Sequence, residues 1–93
     1  MVKDTIHTTT VDSTYARGLQ ALADMDYHTA IALLGPYEDY NAAVAFVGLD
    51  RNLTPLQILE PIQPEERAPQ VNYILAIIYS RIGRVQDAVQ CYL

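Results

Sequence analysis

The stretch AIALLGPY at residues 30–37 returns as PLQILEPI at residues 55–62, and in part as DAVQCYL at residues 87–93. Tyr27, Ala30, Ile31 and Leu34 are echoed by Pro55, Leu56, Ile58 and Leu59, and again by Val85, Ala88, Val89 and Tyr92. A unit that recurs along a chain is a stacking unit, and stacked units build surfaces rather than catalytic clefts. The repeat therefore sets the architecture before any single residue does.

Working outward from 30–37, the apolar positions fall three and four apart, which is the period of a helix face and not of a strand. Upstream, Leu19, Leu22 and Ala23 share a stripe that Asp24-Met25-Asp26 interrupts, and Gly35-Pro36 ends the helix that follows. This predicts a helix, a short turn and an antiparallel helix over 14–36. A second unit, over 38–62, places Tyr40, Ala43, Val44 and Val47 on its first helix and turns at Asp50-Arg51-Asn52. Pro55 falls in the first turn of the next helix, where its missing N–H costs little, and Pro61 closes that helix. The segment QPEERAP at 63–69 reads as a connector with an irregular turn. A third unit, over 69–93, carries Val71, Ile74, Leu75, Ile78 and Ile82, turns at Gly83 and ends in Val85, Ala88, Val89 and Tyr92. Ala30 to Pro55 is 25 residues and Pro55 to Ala88 is 33, so the second unit is short. Residues 1–13 are polar and β-branched and read as a flexible tail, with Asp12 or Ser13 able to cap the first helix.

The whole chain has 93 residues, enough for one small domain. It is 51% apolar, so a packed core is expected. Its net charge of −5 and pI near 4.6 argue against nucleic acid as a partner, because phosphate contacts need clustered Lys and Arg. The basic residues are only Lys3, Arg17, Arg51, Arg67, Arg81 and Arg84, and they are scattered, which also disfavours an anionic membrane surface. No apolar run approaches a membrane span, so no membrane insertion is expected, and the first residues do not read as a signal peptide. The single cysteine, Cys91, excludes an internal disulfide and fits a reducing compartment without fixing one.

At this point the residues resemble the tetratricopeptide repeat. Leu75-Ala76, Tyr79, Gly83, Val85, Ala88 and Tyr92 carry the resemblance in the third unit, and Gly18, Tyr27, Ala30 and Leu34 in the first. In the second unit Pro55 replaces the small residue of the second helix. The resemblance implies about six helices in three antiparallel hairpins, stacked as a right-handed superhelical all-α array. Small residues at Gly18, Ala30, Ala43, Ala76 and Ala88 would then let the helices of a hairpin approach closely. The phrases PYEDYNAAVAFVGLDRN and VNYILAIIYSRIG with AVQCYL also resemble helical-repeat tails of cell-envelope proteins from Bacteroidetes bacteria, which implies assembly or scaffolding near the envelope.

On that architecture the first helix of each hairpin lines a groove. Tyr15, Tyr40 and Tyr73 occupy equivalent places, with Leu19, Val44 and Ile77 beside them and Arg81 near the end, placed to meet a carboxylate. An aromatic row of this kind suits a protein or peptide partner, since Tyr combines contact area with a polar tip. The competing reading makes the same tyrosines packing residues at the hairpin junctions. Metal binding has little support: His7, His28 and Cys91 are single residues without ligand spacing. Asp24, Asp26, Glu65 and Glu66 read as solvated turn charges, and no nucleophile, phosphate-loop or dinucleotide motif occurs, so neither enzymatic activity nor a cofactor is expected. Asn52-Leu53-Thr54 is formally a glycosylation sequon, but Pro55 follows it. The sequence stops at Leu93 inside a helix, leaving Val85, Val89, Tyr92 and Leu93 to expose part of the third hairpin. That end reads as a domain cut from a longer protein, or as a homodimer interface in which each patch covers the other. The expected function is a non-catalytic protein-interaction or scaffolding module, the alternative a homo-oligomerisation module joined through its C-terminal hairpin.

Overall fold

The computed structural model describes residues 2–93, with side chains from Ser13 onward. The expected tail, 1–13, falls outside the residues described with side chains, its last residue excepted. Among the described residues the fold is all-α and contains no strand. Six helices follow in order: α1 Val2–Ala23, α2 Tyr27–Leu34, α3 Tyr40–Gly48, α4 Leu53–Leu59, α5 Pro69–Arg81 and α6 Val85–Tyr92. Short 3₁₀ turns lie at Gly35–Tyr37 and Pro64–Glu66. Helix α1 passes through Ser13 rather than starting there; the alternative cap at Asp12 lies outside the residues described with side chains.

The helices pair as α1/α2, α3/α4 and α5/α6, and each pair closes through the same turn. Met25, Asp50 and Gly83 each take a left-handed backbone, with φ of 61°, 59° and 83°. The next residue's N–H then reaches back across the turn: Asp26 to the Ala21 carbonyl at 2.8 Å, Arg51 to Phe46 at 3.0 Å, and Arg84 to Tyr79 at 2.8 Å. The left-handed residue's own N–H donates to Leu22, Val47 and Ser80 respectively. This doubled bond is the usual way of satisfying carbonyls that a helix end leaves free.

Those turns give the chain one internal frame, repeated three times. Seven residues before the turn residue stand Gly18, Ala43 and Ala76; five residues after it stand Ala30, Pro55 and Ala88. All six are buried. They are small or compact because the paired helices close on them: a Cβ added to Gly18 would lie 2.5 Å from Leu34 Cδ2. The second hairpin fits the same frame despite its shortness, since Pro55 lies at the third position of α4, where no backbone donor is needed.

Two clusters form the core. One joins α1, α2 and α3 through Ala21, Ala30, Leu34, Ala42 and Ala45. The other joins α3 to α6 through Ala43, Val47, Leu56, Leu59, Ile74, Leu75, Ile78 and Ala88. Helix α3 belongs to both, with Ala42 and Ala45 toward one and Ala43 and Val47 toward the other. A helix packed on several faces needs small side chains, which explains the alanine-rich run there. Asp39 starts α3 by accepting the Ala42 N–H at 3.0 Å. After α4, Arg67 donates to the Glu60 and Ile62 carbonyls, each at 2.9 Å, so the connector is tied to the helix it leaves.

Candidate functional site

The three tyrosines of the expected groove hold the same place in the frame, three residues before Gly18, Ala43 and Ala76. Their surroundings differ. Tyr15 is held at the junction of the first two hairpins: its hydroxyl donates to Asp39 at 2.5 Å and accepts from the Asn41 amide at 2.8 Å. Its ring meets Tyr37 edge-on, with centroids 4.8 Å apart. The Asn41 donor lowers the Tyr15 pKa, but Asp39 and burial outweigh it and hold the phenol above its usual range. Tyr40 packs on the second core cluster, and burial raises its phenol as well. Tyr73 alone of the three is well exposed. Of their neighbours, Val44 and Ile77 lean on the core and Leu19 is exposed at its edge. Arg81 is engaged inside the fold, donating to the Val47 carbonyl at 3.0 Å and lying 3.5 Å from Asp50. It fastens α5 to the α3–α4 turn.

Tyr37, Asp39 and Asn41 were not among the residues singled out from sequence. Only the PYEDYN run, with Asp39 in capping position before an alanine-rich helix, hints at a junction there. A second cluster that sequence reading missed ties α4 to the third hairpin. Tyr79 donates to Glu60 at 2.7 Å, Arg84 lies 3.5 Å from the same carboxylate, and the Arg84 guanidinium sits 4.8 Å from the Tyr79 ring centre. Burial, then the Glu60 bond, push the Tyr79 phenol up to about 12. These groups are partnered with one another, and they line an open hollow of about 490 Å³ together with Asp87 and Cys91. Among the described residues no group of His, Cys, Asp and Glu is placed to hold a metal ion. Burial also pushes the Cys91 thiol up, away from the reactive thiolate.

Four of the exposed large apolar side chains, Val85, Val89, Tyr92 and Leu93, lie together at the C-terminal end. Val85, Val89 and Tyr92 fall at helical spacing on one face of α6 and are 63%, 50% and 67% exposed, with Leu93 beyond them. Tyr73, Tyr92 and Leu93 share the wall of an open hollow of about 370 Å³ between the start of α5 and the end of α6. No helix among the described residues is long and apolar enough to cross a membrane. Compared with known proteins, the chain matches no family model, no curated protein and no solved structure.

Proposed function

We propose that this chain is a tetratricopeptide-like helical repeat that works as a non-catalytic protein-interaction module. The observation that carries the reading is the uncovered stripe on α6. Large apolar side chains aligned on one exposed helix face mark a contact surface more often than a free one. The third hairpin's Tyr73 extends that surface, whereas Tyr15 and Tyr40 are occupied by junction and core. The binding surface therefore centres on Tyr73, Val85, Val89, Tyr92 and Leu93, with Val44, Ile77 and Arg81 serving packing and alignment and Leu19 exposed apart from it. A right-handed stack of the three hairpins accords with the shared frame and would set this surface at one end.

The test is capture of polypeptide partners by the intact chain and by a variant carrying Val85→Ser, Val89→Ser and Tyr92→Ser. The reading expects capture by the first only, with the same helical circular dichroism from both. Equal capture by both would remove α6 from the binding surface.

Homo-oligomerisation through the same hairpin is the second reading. It is favoured by the same stripe, which a two-fold copy could cover. It predicts a molar mass that doubles with concentration in light scattering and returns to that of one chain in the serine variant.

A further inference from the structure

The shared frame says what has covered this face elsewhere in the molecule. Val85, Val89 and Tyr92 occupy the positions of Tyr27, Ile31 and Leu34 in the first hairpin, and of Asn52, Leu56 and Leu59 in the second. In the first hairpin those side chains are roofed by α3: Leu34 is fully buried in a cluster with Ala42 and Ala45, and Ile31 packs against it. Tyr27 lies so close to Gly48 that a Cβ there would fall 2.4 Å from its ring. In the second hairpin Leu56 and Leu59 are buried in the cluster that α5 completes with Ile74, Leu75 and Ile78. The same register is covered twice by the following helix and stands open once.

We infer that the α6 stripe is the seat of an amphipathic α-helix whose contact face is built from small residues, laid on α6 as α3 is laid on α2. This rests on the interaction reading above and names its partner. The small face follows from the ridge it must straddle. Ala42, Ala45 and Gly48 recur every three residues on α3 and let it close over the aromatic and two branched residues of the α2 ridge; α5, which covers an α4 ridge with Asn52 in place of the aromatic, carries the larger Leu75 and Ile78 at the matching positions, and the α6 ridge, with Tyr92, is of the first kind.

Two other occupants fit less well. A second copy adding head to tail would present α1. The α1 positions matching Ala42, Ala45 and Gly48 are Arg17, Gln20 and Ala23, all exposed. Docking them would bury Arg17 against valine and tyrosine with no carboxylate opposite it. A two-fold copy would set one ridge of Val89 and Tyr92 against another, without the small residues that let α3 approach α2.

The probe is a helix-stapled, fluorescent peptide carrying residues 39–49, DYNAAVAFVGL, titrated into the intact chain and followed by anisotropy, with light scattering on the chain alone. The expected result is a monomeric chain and saturable binding. Binding should weaken about tenfold or more on Val89→Asp in the chain, and likewise on Ala45→Leu in the peptide. Val89 is half exposed, so circular dichroism of the variant should not change. No binding to a monomeric chain overturns the inference, and so does binding that Val89→Asp leaves intact. A chain that self-associates, and that Val89→Asp makes monomeric, overturns the helical occupant while leaving the interaction reading in place.

Discussion

The three hairpin turns each rest on one left-handed residue, and only one of the three is a glycine. Gly83 accepts its left-handed φ of 83° without penalty, while Met25 and Asp50 hold similar angles against the contact between Cβ and backbone. Met25 is 72% exposed, so its side chain has little packing to lose. Met25→Gly should therefore raise the unfolding free energy measured in urea by about 0.5–1 kcal/mol, although glycine usually weakens a chain. Gly83→Ala should lower it by about 1 kcal/mol, since the space around Gly83 is open and only the backbone objects. Gly18 is the opposite case: its φ is ordinary and its space is not. Gly18→Ala gains helix propensity but drives a methyl into fully buried Leu34, and a net loss of about 1–2 kcal/mol is expected in the same unfolding measurement. Tyr79 sets a pH dependence. The folded chain keeps its phenol proton up to about 12, against 10.0 for the free group. The associated stability is complete below pH 10 and is lost as the pH rises toward 12. Tyr79→Phe should flatten the alkaline fall in thermal midpoint, leaving the smaller part due to Tyr15 and Tyr40, whose phenols are also raised. A fall of unchanged depth would mean that Tyr79 does not carry it.

At the scale of the elements, the helices were legible because their ends are chemically marked. Gly35-Pro36, Pro61 and Gly83 stop helices by backbone geometry alone, and α2, α4 and α5 end beside them. At Ser13 the sequence offered a capping side chain, but capping is a local preference, and the helix continues through that residue. The repeat was legible from Ala30, Pro55 and Ala88 because close helix approach admits few residue types. The role of the tyrosine row was not. Tyr15, Tyr40 and Tyr73 look alike in sequence, and what separates them is the neighbour each meets from another hairpin: Asp39 and Asn41, the core, or solvent. The connector was read as an irregular turn, yet its strength lies in Arg67, whose two backbone contacts depend on where the chain doubles back. Arg67→Ala should cost about 1–2 kcal/mol by freeing the Glu60 and Ile62 carbonyls, with Arg67→Lys recovering only part because an ammonium has its donors on one nitrogen and lacks the planar fork that spans both.

Across the described residues, one frame is used three times, and in the first two the following helix covers it. The two core clusters meet in α3, so the first and third hairpins are joined through a helix short enough, and rich enough in alanine, to be packed on both sides. Among the described residues no helix plays for the third hairpin the part that α3 and α5 play for the hairpins before it. Its exposed valines and tyrosine could be read from sequence as an apolar excess; their equivalence to covered positions needed the turns to be aligned in space. The most direct test of this account is a matched pair of substitutions, Leu56→Asp and Val89→Asp, compared by chemical denaturation. The two residues hold the same place in successive hairpins, one 8% exposed and the other 50%. The account predicts that Leu56→Asp costs about 3 kcal/mol or more, because it buries a charge in the core. It predicts that Val89→Asp changes the isolated chain by about 0.5 kcal/mol or less, because that side chain is half exposed. A Val89→Asp variant as unstable as Leu56→Asp would show that the stripe is already part of the core, and would contradict its assignment as the interaction surface.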